Sequence, residues 1–200
     1  GYSNAVGMGD STFREGIKLD GKTGVTVKNF MINNVGMGIS LTSSENNWIE
    51  GNTFSDIGGG MELKNSPTNT ITSNTINARD ATGIKVENSN ANIITNNVIS
   101  GASTAILVSG SNLLTIDGNS FTNNNNGIYL NGVAEISVTN NVFESVNNFA
   151  LGDVVQSMNI INDNAYILVN GSAKIEVVSV NSMHALASID ISSPRYMVQV

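Results

Sequence analysis

Four charged residues in two short segments, Glu62-Leu63-Lys64 and Lys85-Val86-Glu87, have the types and spacing for chemistry on a polymeric substrate. Within each segment the charges stand two residues apart, so on an extended strand both point to one face, and the order of signs reverses between the segments. With strands stacked at about 4.8 Å, Glu62 faces Lys85, Lys64 faces Glu87, and the two glutamates lie on a diagonal of roughly 8 Å. That separation suits the acid and base of an inverting glycosidase, which need room for a water. A different chemistry is proton abstraction next to a uronate carboxylate by Lys64 or Lys85, each depressed by its cationic neighbour. Arg79 and Asp80 stand in the loop that leads into the second segment. Tyr129 and Trp48 add rings of the kind that stack on sugars, because one apolar ring face meets another. The same four charges also read as a lattice needing no substrate, since opposite charges across a ladder contribute roughly 0.2–1 kcal/mol to a sheet.

A repeat brings these residues together. Asparagine recurs at Asn52, Asn74, Asn97, Asn119 and Asn141, in steps of 22, 23, 22 and 22 residues, and two positions after each stands Phe54, Ile76, Ile99, Phe121 or Phe143. A second column runs Gly38-Ile39, Gly60-Met61, Gly83-Ile84, Ala105-Ile106 and Gly127-Ile128, each followed two residues on by Leu41, Leu63, Val86, Val108 or Leu130. A third runs Val27, Ile49, Ile71, Ile94, Ile116, Val138. Three apolar columns per unit mean three short strands per unit, each alternating at period two. Such a unit cannot bury its apolar face alone, so successive units stack with equivalent residues in register. The expected class is therefore all-β, a parallel β-helix with coils of about 22 residues.

This frame assigns roles to the remaining columns. The asparagines occupy a corner, where an amide donates and accepts at once and pairs with the coils on either side. Ser44, Ser66, Ser89 and Ser111 keep the same step and line another turn. Asn-Gly at 126–127 and 131–132 supplies the positive φ of sharp corners. Phe30 takes the asparagine position of the first full coil, where there is no ladder above to join. Outward positions of one sheet read Lys18, Ser40, Glu62, Lys85, Leu107, Tyr129, with Asp20, Thr42, Lys64, Glu87, Ser109, Asn131 beside them. Trp48 takes an outward position beside Ile49, in a column with Thr70, where covering an N-terminal loop is as good a role for it as stacking on a sugar.

The segments GMELKNSPTNTITSNTI and GIKVENSNANIITNNVI resemble the repeats of the pectate-lyase-like superfamily of parallel β-helices, including NosD-like carbohydrate-binding and sugar-processing proteins. The resemblance implies a right-handed coil, in line with the usual crossover of parallel strands. Glu62-Leu63-Lys64-Asn65-Ser66 is similar to the strand of alginate-lyase and chondroitinase-B-like enzymes that carries the base lysine, which maps that role to Lys64. On the following coil Gly83-Ile84-Lys85-Val86 stands where those enzymes have an arginine motif. The calcium-binding aspartates of pectate lyases, the paired aspartates of polygalacturonases and the Asp-Pro-His of mannuronan epimerases have no counterpart, so the resemblance leaves enzyme status open.

Composition narrows the partners. Lys plus Arg total 9 against 16 Asp plus Glu, a net charge of −7 that offers no basic footprint for nucleic acid. No apolar stretch reaches membrane-spanning length, so membrane insertion is not expected. There is no cysteine, and the lone His184 and single acids such as Asp153 and Asp163 form no cluster with ligand spacing, so neither metal nor cofactor is expected. Residues 1–15 read as an extension or cap, 16–165 as the β-helix, and 166–200 as irregular last coils or the start of a following segment. The partners expected are a polysaccharide and either a second copy or the rest of a longer parent chain, outside the cell or at its surface. A structural shaft of an adhesin, tail spike or surface layer is the competing function.

Overall fold

A computed structural model of the chain describes residues 5–7, 15–144, 155–161, 164–169, 174–179 and 185–190, with side chains over 15–144. Strands of three to six residues alternate buried and exposed positions, as in Thr75–Ala78 and Thr82–Glu87. They pair in parallel with the strand one unit away, Ile76 beside Ile99 and Ile84 beside Ile106. Three parallel sheets result. The charged sheet is built from Glu15–Asp20, Met37–Thr42, Met61–Lys64, Thr82–Glu87, Thr104–Ser109 and Asn126–Asn131. The tryptophan sheet holds Thr26–Lys28, Trp48–Glu50, Thr70–Thr72, Ile93–Thr95, Thr115–Asp117 and Ser137–Thr139. The long sheet runs from Ala5–Gly7 and Met31–Val35 through Thr53–Ile57, Thr75–Ala78, Val98–Ser100 and Ser120–Thr122 to Val142–Glu144.

The core is a set of ladders. Ile39, Met61, Ile84, Ile106 and Ile128 stack behind the charged sheet, Ile49, Ile71, Ile94 and Ile116 behind the tryptophan sheet, and Phe54, Ile76, Ile99 and Phe121 behind the long sheet. Each is essentially without solvent contact, and burying such a side chain contributes about 1.5–3 kcal/mol.

The asparagine column lies inside the corner between the tryptophan and long sheets, as its spacing predicts. Asn74 donates from its backbone N–H and its Nδ2 to the Oδ1 of Asn97 at 2.9 and 3.0 Å, and from Nδ2 also to the carbonyls of Ile49 and Thr72. Asn52, Asn97 and Asn119 repeat the link to the next coil. At the top, the Phe30 N–H donates to Asn52 Oδ1 at 3.0 Å, so the terminal rung is satisfied by backbone alone. The serine column is also internal: the Ser66 N–H donates to Ser89 Oγ and the Ser89 N–H to Ser111 Oγ, both at 2.8 Å. Three residues beyond it runs a second asparagine ladder not singled out from the sequence, Asn47 to Asn69 to Asn92, ended by Leu114 in the same position.

Two local expectations change. Gly132 has φ +60 as expected, but Gly127 lies within the strand Asn126–Asn131 and the positive φ falls on Asn123, a residue type that tolerates that conformation. Among the described residues the last parallel pairing is that of Ser120–Thr122 with Val142–Glu144. Beyond it, Val155–Ile161, Asn164–Val169, Lys174–Ser179 and Ala185–Asp190 pair antiparallel in chain order. Only two residues separate the first two of these strands, a spacing that admits a hairpin and not the crossover a further coil requires. Ala185–Asp190 lies beside Asn126–Asn131, at the end of the charged sheet. Asp153 and His184 fall outside the described residues, as does Asp163.

Candidate functional site

The outward columns of the charged sheet stand in the predicted register. Lys18, Ser40, Glu62, Lys85, Leu107 and Tyr129 are consecutive partners, as are Asp20, Thr42, Lys64, Glu87, Ser109 and Asn131. The sheet holds them on rigid backbone, because the four inner strands are each hydrogen-bonded to both neighbours.

Lys85 is the centre of the face. Its Nζ lies 2.9 Å from Glu62 Oε1 and 3.0 Å from Glu87 Oε2, and all three side chains keep about a third of their surface in solvent. One carboxylate comes from across the ladder and the other from two residues along the same strand. Because both oxygens touch one ammonium, they lie no farther apart than those two distances end to end, about 5.9 Å. This is closer than the roughly 8 Å expected from backbone geometry, since the side chains converge on the cation, and the ammonium fills the space a glycosidic oxygen and water would need.

The charges reinforce their ionised forms. The hydrogen bond to Glu62, then that to Glu87, holds the Lys85 ammonium above its ordinary value of 10.5 against partial desolvation. The depression expected for Lys85 does not occur, because its contacts are two carboxylates. Glu87 is held below 4.5, first by the Lys85 hydrogen bond and then by the charges of Lys85 and Lys64. A raised lysine contributes stability that is present below about pH 10.5 and lost as the pH climbs through its raised value; a lowered glutamate contributes stability present above about pH 4.5 and lost on acidification. Denaturant midpoints should therefore be flat between those limits with respect to this triad. Lys85→Met, which keeps the stem and removes the charge, should cost no more than about 1 kcal/mol near neutrality, measured by urea unfolding.

Lys64 is placed differently. It is exposed and opposite Glu87 in register, yet among the described residues no acid lies within ion-pair distance of it. The other sequence-predicted residues do not all join this cluster. Arg79 pairs with Asp56 of the long sheet, so it turns away from the quartet. Tyr129 stands in the Lys85 column, two coils below, with Leu107 between them. Trp48 lies on the tryptophan sheet, which faces another direction. Glu15, not singled out from the sequence, extends the polar face upward with Ser40: Ser40 Oγ donates to Glu15 Oε1 at 2.7 Å, and Lys18 Nζ lies 3.9 Å from the same carboxylate. The available signal was Glu15 standing one unit before Met37.

Among the described residues no three His, Cys, Asp or Glu side chains stand together as a metal site. The methionines of the coils are dispersed, Met31 exposed on the long sheet, Met37 on the charged sheet and Met61 in the core. No described helix is long and apolar enough to cross a membrane. No curated protein matches the chain. One family does match, described as "Periplasmic copper-binding protein (NosD)", over residues 9–174. The described residues do not fit the copper of that description. The match spans the strands from Glu15–Asp20 to Val142–Glu144 and the first two antiparallel strands, and with the stacked sheets and buried asparagine corner it assigns the chain to the NosD family of periplasmic β-helix proteins.

Proposed function

We propose that the chain is an extracellular or cell-surface β-helix that binds an acidic polysaccharide on its charged sheet without cleaving it. The observation that carries this reading is the contrast between Lys64 and Lys85: one exposed cation without an ion-pair partner among the described residues stands beside another locked between two carboxylates. The locked triad fixes the local field, and Lys64 is the group left to meet a uronate. Neighbouring Thr42, Ser109 and Asn131 supply hydroxyls and an amide to sugar hydroxyls.

The same geometry argues against turnover. A raised Lys85 is a poor general base, and a lowered Glu87 a poor general acid. Elimination next to a uronate carboxylate also benefits from a second cation to neutralise that carboxylate, and Arg79 is paired with Asp56. Incubation with polygalacturonate should therefore yield no unsaturated product absorbing in the ultraviolet and no new reducing ends, and Glu62→Gln or Glu87→Gln should leave that outcome unchanged. Product formed by the wild-type chain and lost in Lys64→Ala would replace binding with lyase activity. A second reading, a structural shaft, is favoured by the self-satisfied Lys85 triad; it requires that no glycan bind at all.

A further inference from the structure

We infer that Trp48 anchors a second saccharide subsite, on the tryptophan sheet, that takes a neutral extended glycan lying along the solenoid axis. The inference rests on the saccharide reading for the class of ligand but uses a different face. Trp48 keeps 47% of its surface in solvent while the next residue, Ile49, is fully buried. The indole therefore stands off the sheet instead of filling the core. Its backbone is fixed, its N–H donating to the Val25 carbonyl at 2.8 Å, so a ligand meets a ring on a rigid strand and little ordering is needed on binding.

The register extends this ring into a strip. Below Trp48 on successive coils stand Thr70, Ile93 and Thr115, with Ile93 itself 43% exposed. At about 4.8 Å per coil, an aromatic ring, a hydroxyl, an aliphatic side chain and a hydroxyl follow one another along the axis. An extended glycan has the matching character, with apolar ring faces and hydroxyl edges. Beside the ring, in the adjacent outward column, Lys28 and Glu50 form a pair at 3.4 Å. The pair is neutral as a unit and offers both a donor and an acceptor to hydroxyls, so this strip selects an uncharged chain where the charged sheet selects an acidic one.

Trp48 is the only tryptophan in the chain, so its emission reports this face alone. Titrating the full chain with cellohexaose should shift the emission to the blue with saturation, and added salt should not weaken the effect. By calorimetry Trp48→Ala should weaken cellohexaose binding by about tenfold or more, and Trp48→Phe by less. An exposed position makes both variants foldable, which circular dichroism checks. Polygalacturonate should leave the emission unchanged. Emission that ignores cellohexaose, an Ala variant that binds it as the wild type does, or a polygalacturonate response at Trp48 would each overturn the subsite. Cellohexaose binding at Trp48 with no polygalacturonate binding would support the subsite while refuting the charged-sheet reading, and the reverse pattern would do the opposite.

Discussion

Replacing Asn97 with alanine should destabilise the protein by about 3 kcal/mol, the upper part of the range for stranding buried polar groups. The side chain is the middle rung of the corner ladder and has no solvent contact. Its Oδ1 accepts from both the N–H and the Nδ2 of Asn74, and its own Nδ2 donates to Asn119 Oδ1 and to the carbonyls of Ile71 and Thr95. Truncation leaves the Asn74 N–H without its acceptor and removes one donor from Asn119, in a site that alanine does not open to water. Urea unfolding gives the figure directly. A midpoint within error of the wild type would mean that the corner admits solvent or rearranges, and that the ladder is not what joins the coils.

An effect of similar size is expected at a position with no side chain. Gly60 lies in the inward glycine column of the charged sheet, and a Cβ placed there would collide with the Gly83 carbonyl oxygen and come within 2.9 Å of Ile76 Cγ2. Its backbone does not have positive φ, so lack of space, not conformation, excludes alanine. The obstacle is backbone and a core ladder, neither of which moves cheaply, so Gly60→Ala should cost about 3 kcal/mol. The usual gain from Gly→Ala through the unfolded chain, about 0.4–1 kcal/mol, has the opposite sign and is smaller. The thermal midpoint should therefore fall; a rise would show that the coils separate enough to admit a methyl group.

The fold was legible because a β-helix repeats its reasons. Five asparagines two residues before a large apolar side chain leave no other placement than a shared corner, and the structure puts them there. The second asparagine ladder was obscured because Asn47, Asn69 and Asn92 sit in turns already rich in asparagine, and only the bonds to neighbouring coils separate an inward amide from an outward one. The register of Glu62, Lys64, Lys85 and Glu87 was likewise readable from strand periodicity. Their rotamers were not: strand geometry places Cβ atoms, whereas the convergence of two carboxylates on the Lys85 ammonium depends on side-chain torsions and on what each charge gains by contact. Trp48 and Tyr129 could be read as outward and in different columns, and the pairing places those columns on different sheets. The antiparallel strands after residue 155 broke the step that made the rest readable, and there short connections decided the pairing.

The central claim is that the charged sheet binds acidic glycan through Lys64, and isothermal calorimetry with polygalacturonate tests it most directly. The wild-type chain should bind, added salt should weaken the binding because exposed charges are screened over about 8 Å at physiological ionic strength, and Lys64→Ala should bind more weakly than wild type at the same salt. Heat of binding that is unchanged in Lys64→Ala, or absent in the wild type, would contradict it.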